Sequence, residues 1–240
     1  MTRTNPLSDA AYLFDFGFSM HRFDVTSSQT GLLDDLSWSL TERYTLPRLE
    51  QLTIDKPVDW TMRGAWHERG LMFEFDLSTA FINEKLDGAP KSNTDARATG
   101  RILHLFIDTR GSSGIKRANH FCYRFRFDSP PTGSSKVADA SKGDIVVNGR
   151  NTSILKASED PPRVPDEDLL CQISQVSKTQ ERWRILIRGA KLYGYNPIEF
   201  PEIGFFFCCY DSLNTNIHLA RSASSRFQED PSLWCRVKLV

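Results

Sequence analysis

No stretch of this chain approaches the roughly 18 uninterrupted apolar residues of a membrane span. The opening Met1-Thr-Arg-Thr-Asn-Pro-Leu-Ser-Asp9 carries no apolar core of the secretory-leader kind. Neither sign of charge is in excess, since 30 Lys and Arg balance 30 Asp and Glu. A nucleic-acid binder usually shows a basic excess, so this balance argues against that class. The five cysteines (Cys122, Cys171, Cys208, Cys209, Cys235) include no Cys-x-x-Cys pair. Their odd number, and the opposite faces that adjacent Cys208 and Cys209 would take on a strand, favour reduced, buried thiols over a disulfide framework or a zinc site. The expectation is a cytoplasmic protein with no nucleic-acid or membrane partner. Asn151-Thr152-Ser153 matches a glycosylation sequon, but no export signal accompanies it.

The signatures of common enzymes are missing as well. No P-loop, Gly-x-Ser-x-Gly elbow or dinucleotide fingerprint occurs. The five histidines (His21, His67, His104, His120, His218) show no metal-ligand spacing. A glycosidase needs two positioned carboxylates, and nothing in the scatter of Asp and Glu singles out a pair. No catalytic set is identified, and the chain is not expected to be an enzyme.

What is present is period two. Leu71, Phe73, Phe75 and Leu77 share one face of LMFEFDL, with Met72, Glu74 and Asp76 on the other. FCYRFRF sets Phe121, Tyr123, Phe125 and Phe127 against Cys122, Arg124 and Arg126. RWRILIR sets Trp183, Ile185 and Ile187 against Arg182, Arg184, Leu186 and Arg188, and LWCRVKLV sets Leu233, Cys235, Val237 and Leu239 against Trp234, Arg236, Lys238 and Val240. Such alternation marks strands with one buried and one wet face. By the same parity Trp183 is a core residue, Trp234 lies nearer the surface, and Arg124 and Arg126 form a solvated face. GFFFCCY, apolar on both sides, reads as a central strand covered on each face, as does ILHLFI with His104 its one polar interruption.

Turns punctuate these runs. His67-Glu68-Arg69-Gly70 reads as a hairpin in which Gly70 takes a positive φ, and a second hairpin falls near Lys178 to Glu181. Asn196-Pro197 and Pro201 break regular structure before GFFFCCY. The stretch 129–168, rich in Pro, Gly, Ser and charge, reads as an insertion loop within one domain spanning 1–240. Neither half has enough strands to close a core alone. The expected fold is all-β, an antiparallel β-sandwich with long loops and few short helices.

The order of the segments is similar to that of family 9 carbohydrate-binding modules and the wider DOMON-like β-sandwiches of jelly-roll type. It runs DWTMRGAWHERGLMFEFDL, LHLFIDTRG, HFCYRFRF, a long loop, QISQVSKTQERWRILIRGAKLYGYNP, EFPEIGFFFCCYDS and FQEDPSLWCRVKLV, over residues 60–240. Before it, within 1–59, AYLFDFGFSMHRF and TERYTLPRL resemble the leading strands and loops of stand-alone bacterial proteins of this type. The resemblance implies a non-catalytic domain that binds a carbohydrate. The family's sugar site is an aromatic sandwich, typically of two tryptophans, and that pair is not carried over to positions here. The alternative reading is a cytoplasmic structural or protein-interaction sandwich, and a carbohydrate-active enzyme is the third.

The chemistry centres on Asp108-Thr109-Arg110, where a strand enters a Gly/Ser loop. Asp108 is expected to accept backbone N–H bonds in the turn, with Arg110 pairing nearby. In the functional reading both hydrogen-bond sugar hydroxyls. If that loop joins neighbouring strands, Asp108, Arg110, Arg117 and His120 meet at one end of the sandwich, where binding residues gather. Trp60 or Trp66 is then the nearest apolar platform. No cofactor is expected. Loop aspartates Asp76, Asp87, Asp95 and Asp108 could hold calcium but lack EF-hand spacing. Heme, bound through a Met and a His in some DOMON-like domains, would draw on Met62, Met72, His104 and His120 and is set aside.

Overall fold

The computed structural model describes residues 17–24, 36–47, 60–78, 100–112, 114–130, 144–177, 180–210, 216–219 and 226–240. Twelve strands run through them: β1 (Gly17–Arg22), β2 (Trp60–His67), β3 (Gly70–Ser78), β4 (Ile102–Asp108), β5 (Cys122–Asp128), β6 (Ile145–Asn148), β7 (Arg150–Asn151), β8 (Leu169–Ser177), β9 (Gln180–Arg188), β10 (Glu202–Tyr210), β11 (Asn216–His218) and β12 (Cys235–Leu239). Helical structure among the described residues is limited to three-residue 3-10 turns. No helix among them is long and apolar enough to cross a membrane.

The fold is all-β. Hydrogen bonding follows one path, β6-β8-β9-β3-β2-β1-β12-β10-β4-β5-β7, with β11 added to β10. That path doubles back on itself as two facing leaves. Phe73 of β3 stacks on Phe205 of β10 with ring centroids 5.0 Å apart, while Phe75 and Trp60 meet Phe207 edge-on. The inward residues of the alternating runs, including Phe73, Phe75, Phe125, Ile185, Phe205 and Val237, form one buried cluster. Each such side chain contributes about 1.5–3 kcal/mol by leaving water.

The two leaves are joined at both edges, which gives the sandwich a barrel-like closure. At one edge β1 pairs with β12 through Gly17–Met20 and with β2 through His21 and Arg22. Both pairings are parallel, so the otherwise antiparallel sheet is mixed at this strand. At the other edge β6 pairs with β8 and β7 pairs with β5, with Gly149 alone between them. A Cβ at Gly149 would press into the Phe127 ring, so only glycine lets the chain pass from leaf to leaf here. The 129–168 stretch therefore does more than loop out, because its described part supplies these two strands. Asn151, the sequon asparagine, is turned inward and clamps Val164 through both its amide donor and its carbonyl.

The outer faces depart from the period-two expectation of a wet side. On β3, Met72 lies in a second buried cluster with Leu186, Trp38, Leu40 and Tyr44. The chain segment 36–46 covers that part of the leaf. Beside it Glu74, 1% exposed, and Asp76 are buried among Arg63, Arg182 and Arg184. Burial pushes the Asp76 carboxyl up, but hydrogen bonds and charge from Arg182 and Arg63 outweigh it and hold it below the usual range. On the other leaf Trp234 is buried, not near the surface as parity suggested. Its indole N–H donates to the Phe227 carbonyl at 2.7 Å, and Phe227 stacks on Phe206. Arg124 is half-buried over the Phe106 ring instead of fully solvated.

Candidate functional site

The β4–β5 pairing sets Asp108 opposite Cys122, so residues 109–121 are the connection at one end of the sandwich. The Asp108 carboxylate accepts the backbone N–H of Arg110 at 3.0 Å and of Ser112 at 2.7 Å. Its own carbonyl accepts from Gly111, whose φ of +55° suits glycine. Burial pushes the Asp108 carboxyl up, while those N–H bonds pull the other way. The side chain is consumed in building the turn.

A second loop, residues 189–200, docks onto this turn. The Thr109 hydroxyl donates to the Tyr193 carbonyl at 2.9 Å, and the Tyr193 N–H donates to the Tyr123 hydroxyl at 2.9 Å. Gly194, at φ +79°, permits the approach, because a Cβ there would meet the Phe121 ring at 2.6 Å and Thr109 Oγ1 at 2.7 Å. The Tyr195 hydroxyl reaches the carbonyls of His67 and Gly70, tying the same loop to the β2–β3 turn. Backbone contacts therefore fix this loop against both leaves.

Its side chains form an aromatic surface around Arg110. The Tyr193 ring, 50% exposed, lies parallel to Phe121 with centroids 5.5 Å apart. The His120 ring is 4.1 Å from Phe121 and 5.7 Å from Tyr193, and its Nδ1 hydrogen-bonds the Glu159 carboxylate at 2.8 Å. The Arg110 guanidinium carbon stands 3.5 Å from the Phe200 ring centre and 5.2 Å from that of Phe121. Because Tyr193 and Phe121 touch, no slot opens between them. A flat ligand would lie on the outer face of Tyr193.

Of the residues expected at the site, Asp108, Arg110 and His120 are together. Arg117 is exposed farther along the same connection. The two tryptophans are elsewhere. Trp60 is 1% exposed at the far end of β2 from the 67–70 turn and packs on Phe207 in the core. Trp66 is buried under Arg22, its indole N–H donating to the Val240 carbonyl. A large ring on a strand between two leaves gains most by full burial, so neither serves as the platform. The rings gathered at the corner are instead those of Phe121, Tyr193 and Phe200. Tyr193 and Phe200 lie in LYGYNPIEF, outside any strand parity, and Phe121 opens FCYRFRF, so strand alternation did not place them together.

A cleft of 470 Å³ adjoins the corner, lined by Gly17, Phe18, Ser19, Glu202, Arg236 and Lys238. The volume is within the range of small-molecule sites, about 300–1,000 Å³. Gly111 backs directly onto the Glu202 backbone, and Glu202 also lines this cleft. Glu202 and Arg236 approach to 4.0 Å, and Phe18 is the one ring in the lining.

The remaining candidates do not converge. Asp76 is enclosed by arginines and Asp108 by backbone donors, while Asp87 and Asp95 lie outside the described residues. Among the described residues no three His, Cys, Asp or Glu side chains are grouped to hold a metal ion. Met62 is in the main core, Met72 on the outer face of β3, His104 on the outer face of β4, and His120 in the β4–β5 connection. All five cysteines are buried and none forms a disulfide. Burial, with Asp108 adding to it, pushes the Cys122 thiol up to about 12, so it is no nucleophile at neutral pH.

Comparison with protein families finds no match, and comparison with curated proteins finds none either. Among solved structures the chain is similar to a family 9 carbohydrate-binding module from Caldicellulosiruptor kristjanssonii in complex with cellotriose. That likeness has 11% identity, covers 93% of each chain and gives a TM-score of 0.47. A structure of such a module from the same organism in complex with glucose has 12% identity, with 93% of this chain and 94% of the other covered, and a TM-score of 0.45.

Proposed function

We propose that this protein is a non-catalytic ligand-binding β-sandwich whose ligand is a carbohydrate, held on the surface formed by Tyr193, Phe121, His120 and Arg110. The observation that carries the reading is the half-exposed Tyr193 ring. Its backbone is fixed by Thr109 and Tyr123 while its outer face stays open beside two polar side chains. A sugar presents an apolar C–H face to such a ring and its hydroxyls to the polar rim. The order of segments in the sequence supports the same class. The five buried thiols, none of them in a disulfide, fit a reducing compartment such as the cytoplasm. Affinity from one ring and a few hydrogen bonds falls at about micromolar to millimolar dissociation constants. A glycan array with the purified protein, followed by titration of the tightest glycan, tests the reading, and no bound glycan would reject it.

One observation favours a protein-interaction role instead. Ile198, 69% exposed, sits on the same loop as Tyr193. An apolar pair at a loop tip can anchor a protein partner. Ile198→Ser separates the two readings, because it would leave glycan affinity unchanged and weaken a protein contact.

A further inference from the structure

The geometry points to a carboxylate-bearing carbohydrate, a uronic acid or similar acidic sugar, as the class of ligand this site selects, with Arg110 receiving the carboxylate. The inference rests on the carbohydrate reading of the site and deepens it.

Arg110 is the starting point. A guanidinium carries five donors and no acceptor. Yet among the described residues no carboxylate or carbonyl accepts from the Arg110 side chain, and its Nε is buried with no hydrogen-bond partner. A buried orphan donor is rare in a folded protein and calls for a reason. The backbone N–H of Arg110 is satisfied by Asp108, so the corner is built without using the side chain. Stacking on Phe200 and Phe121 holds the guanidinium plane in place and leaves its donors uncommitted. Nε is out of a ligand's reach, but the two terminal nitrogens are not among the buried orphans, and that end of the fork is preorganised for the two oxygens of a carboxylate.

The carboxylates nearby are already engaged. Asp108 accepts from backbone, Glu159 from His120, Glu199 from the Asn196 side chain, and Glu202 faces Arg236. None of the four accepts from Arg110. Lys116 and Arg117, exposed in the same connection, add positive charge around the corner. Asp108 is close enough to feel the Arg110 charge but takes no hydrogen bond from it, so a neutral sugar would use the Tyr193 face and leave the guanidinium without a charged acceptor. A sugar with a carboxylate beside its apolar face would meet both.

The test is an array of matched glycans, each neutral oligosaccharide paired with its uronic-acid counterpart in the gluco, galacto and manno series. It is run with wild type, Arg110→Gln and Arg110→Lys. The expected result is about tenfold tighter binding of the acidic member of the best pair by wild type, in keeping with one charge-assisted contact. That preference should fall towards unity in Arg110→Gln, survive in part in Arg110→Lys, and weaken as salt rises. Equal binding of both members, or an acid preference that persists in Arg110→Gln, overturns this inference while leaving the carbohydrate reading intact. Binding of neither member overturns both. Melting curves of the two variants matching wild type assign the change to the ligand contact and not to folding.

Discussion

The Nε of Arg124 donates to the Nδ1 of His104 at 3.3 Å across the outer face of β4 and β5. A permanent cation thus sits against a buried imidazole. Burial first, and then the Arg124 charge, lower the His104 pKa to about 3. The neutral ring is the form this face is built to hold.

A pH dependence of stability follows. In the unfolded chain His104 takes up its proton near the ordinary value of 6.5, whereas in the folded protein it does so only near 3. The unfolded state therefore binds more protons throughout that window, and stability falls as the pH drops from 6.5 towards 3. The slope from this residue is at most about 1.4 kcal/mol per pH unit. His67, lowered mainly by burial, acts in the same direction. Chemical denaturation at pH 7 and pH 4.5 should show wild type losing more stability than His104→Gln. An identical loss in the two proteins would contradict the assignment.

The charge network on β3 should be costly to break. Replacing Glu74 by alanine leaves Arg63 and Arg184 facing a buried void, with an expected loss of about 3–5 kcal/mol. Urea denaturation measures it. A loss comparable with that of an ordinary surface substitution would mean the three arginines find solvent.

Asp108→Ala frees the N–H groups of Arg110 and Ser112 and should cost about 1–2 kcal/mol. Asp108→Asn should recover at most part of that cost, because its amide oxygen accepts from one of the two N–H groups while its NH2 faces the other. Equal melting temperatures for wild type and Asp108→Ala would remove the structural role of this carboxylate.

Gly149→Ala tests the leaf-to-leaf crossing. The added methyl presses into the Phe127 ring, which is fully buried, so an overpacking cost of about 1–3 kcal/mol is expected. A neutral effect would show that the closure at β6 and β7 is looser than the geometry describes.

The inner faces were legible in the sequence because burial between two leaves imposes period two on each strand. Leu71, Phe73, Phe75 and Leu77 carry that pattern, and so do Trp183, Ile185 and Ile187. The outer faces were not, since what covers them comes from elsewhere in the chain. Nothing in LMFEFDL announces that segment 36–46 will cover Met72, or that three arginines will enclose Glu74 and Asp76. Trp234 was misplaced for the same reason, as Phe227 folds back over its leaf. The parallel pairing of β1 was equally hidden, because alternation sets a face and not a direction. At the site, Asp108 and Arg110 stood out as a polar corner after an apolar strand. Tyr193 did not, because its place depends on a docked loop held by Thr109 and Gly194, a tertiary contact without a local signature.

The proposed ligand surface depends on the open face of Tyr193. Its most direct test is calorimetric titration of the tightest array glycan into wild type, Tyr193→Phe and Tyr193→Ala, with a melting curve for each. The backbone bonds of Tyr193 survive both substitutions, so Tyr193→Phe should melt with wild type and Tyr193→Ala should fall only by the loss of the ring contacts with Phe121 and His120. Tyr193→Phe should keep most of the affinity, and Tyr193→Ala should lose about tenfold or more with the stacking face. Undiminished affinity in Tyr193→Ala would contradict the account and move the ligand, if one is bound, away from this loop.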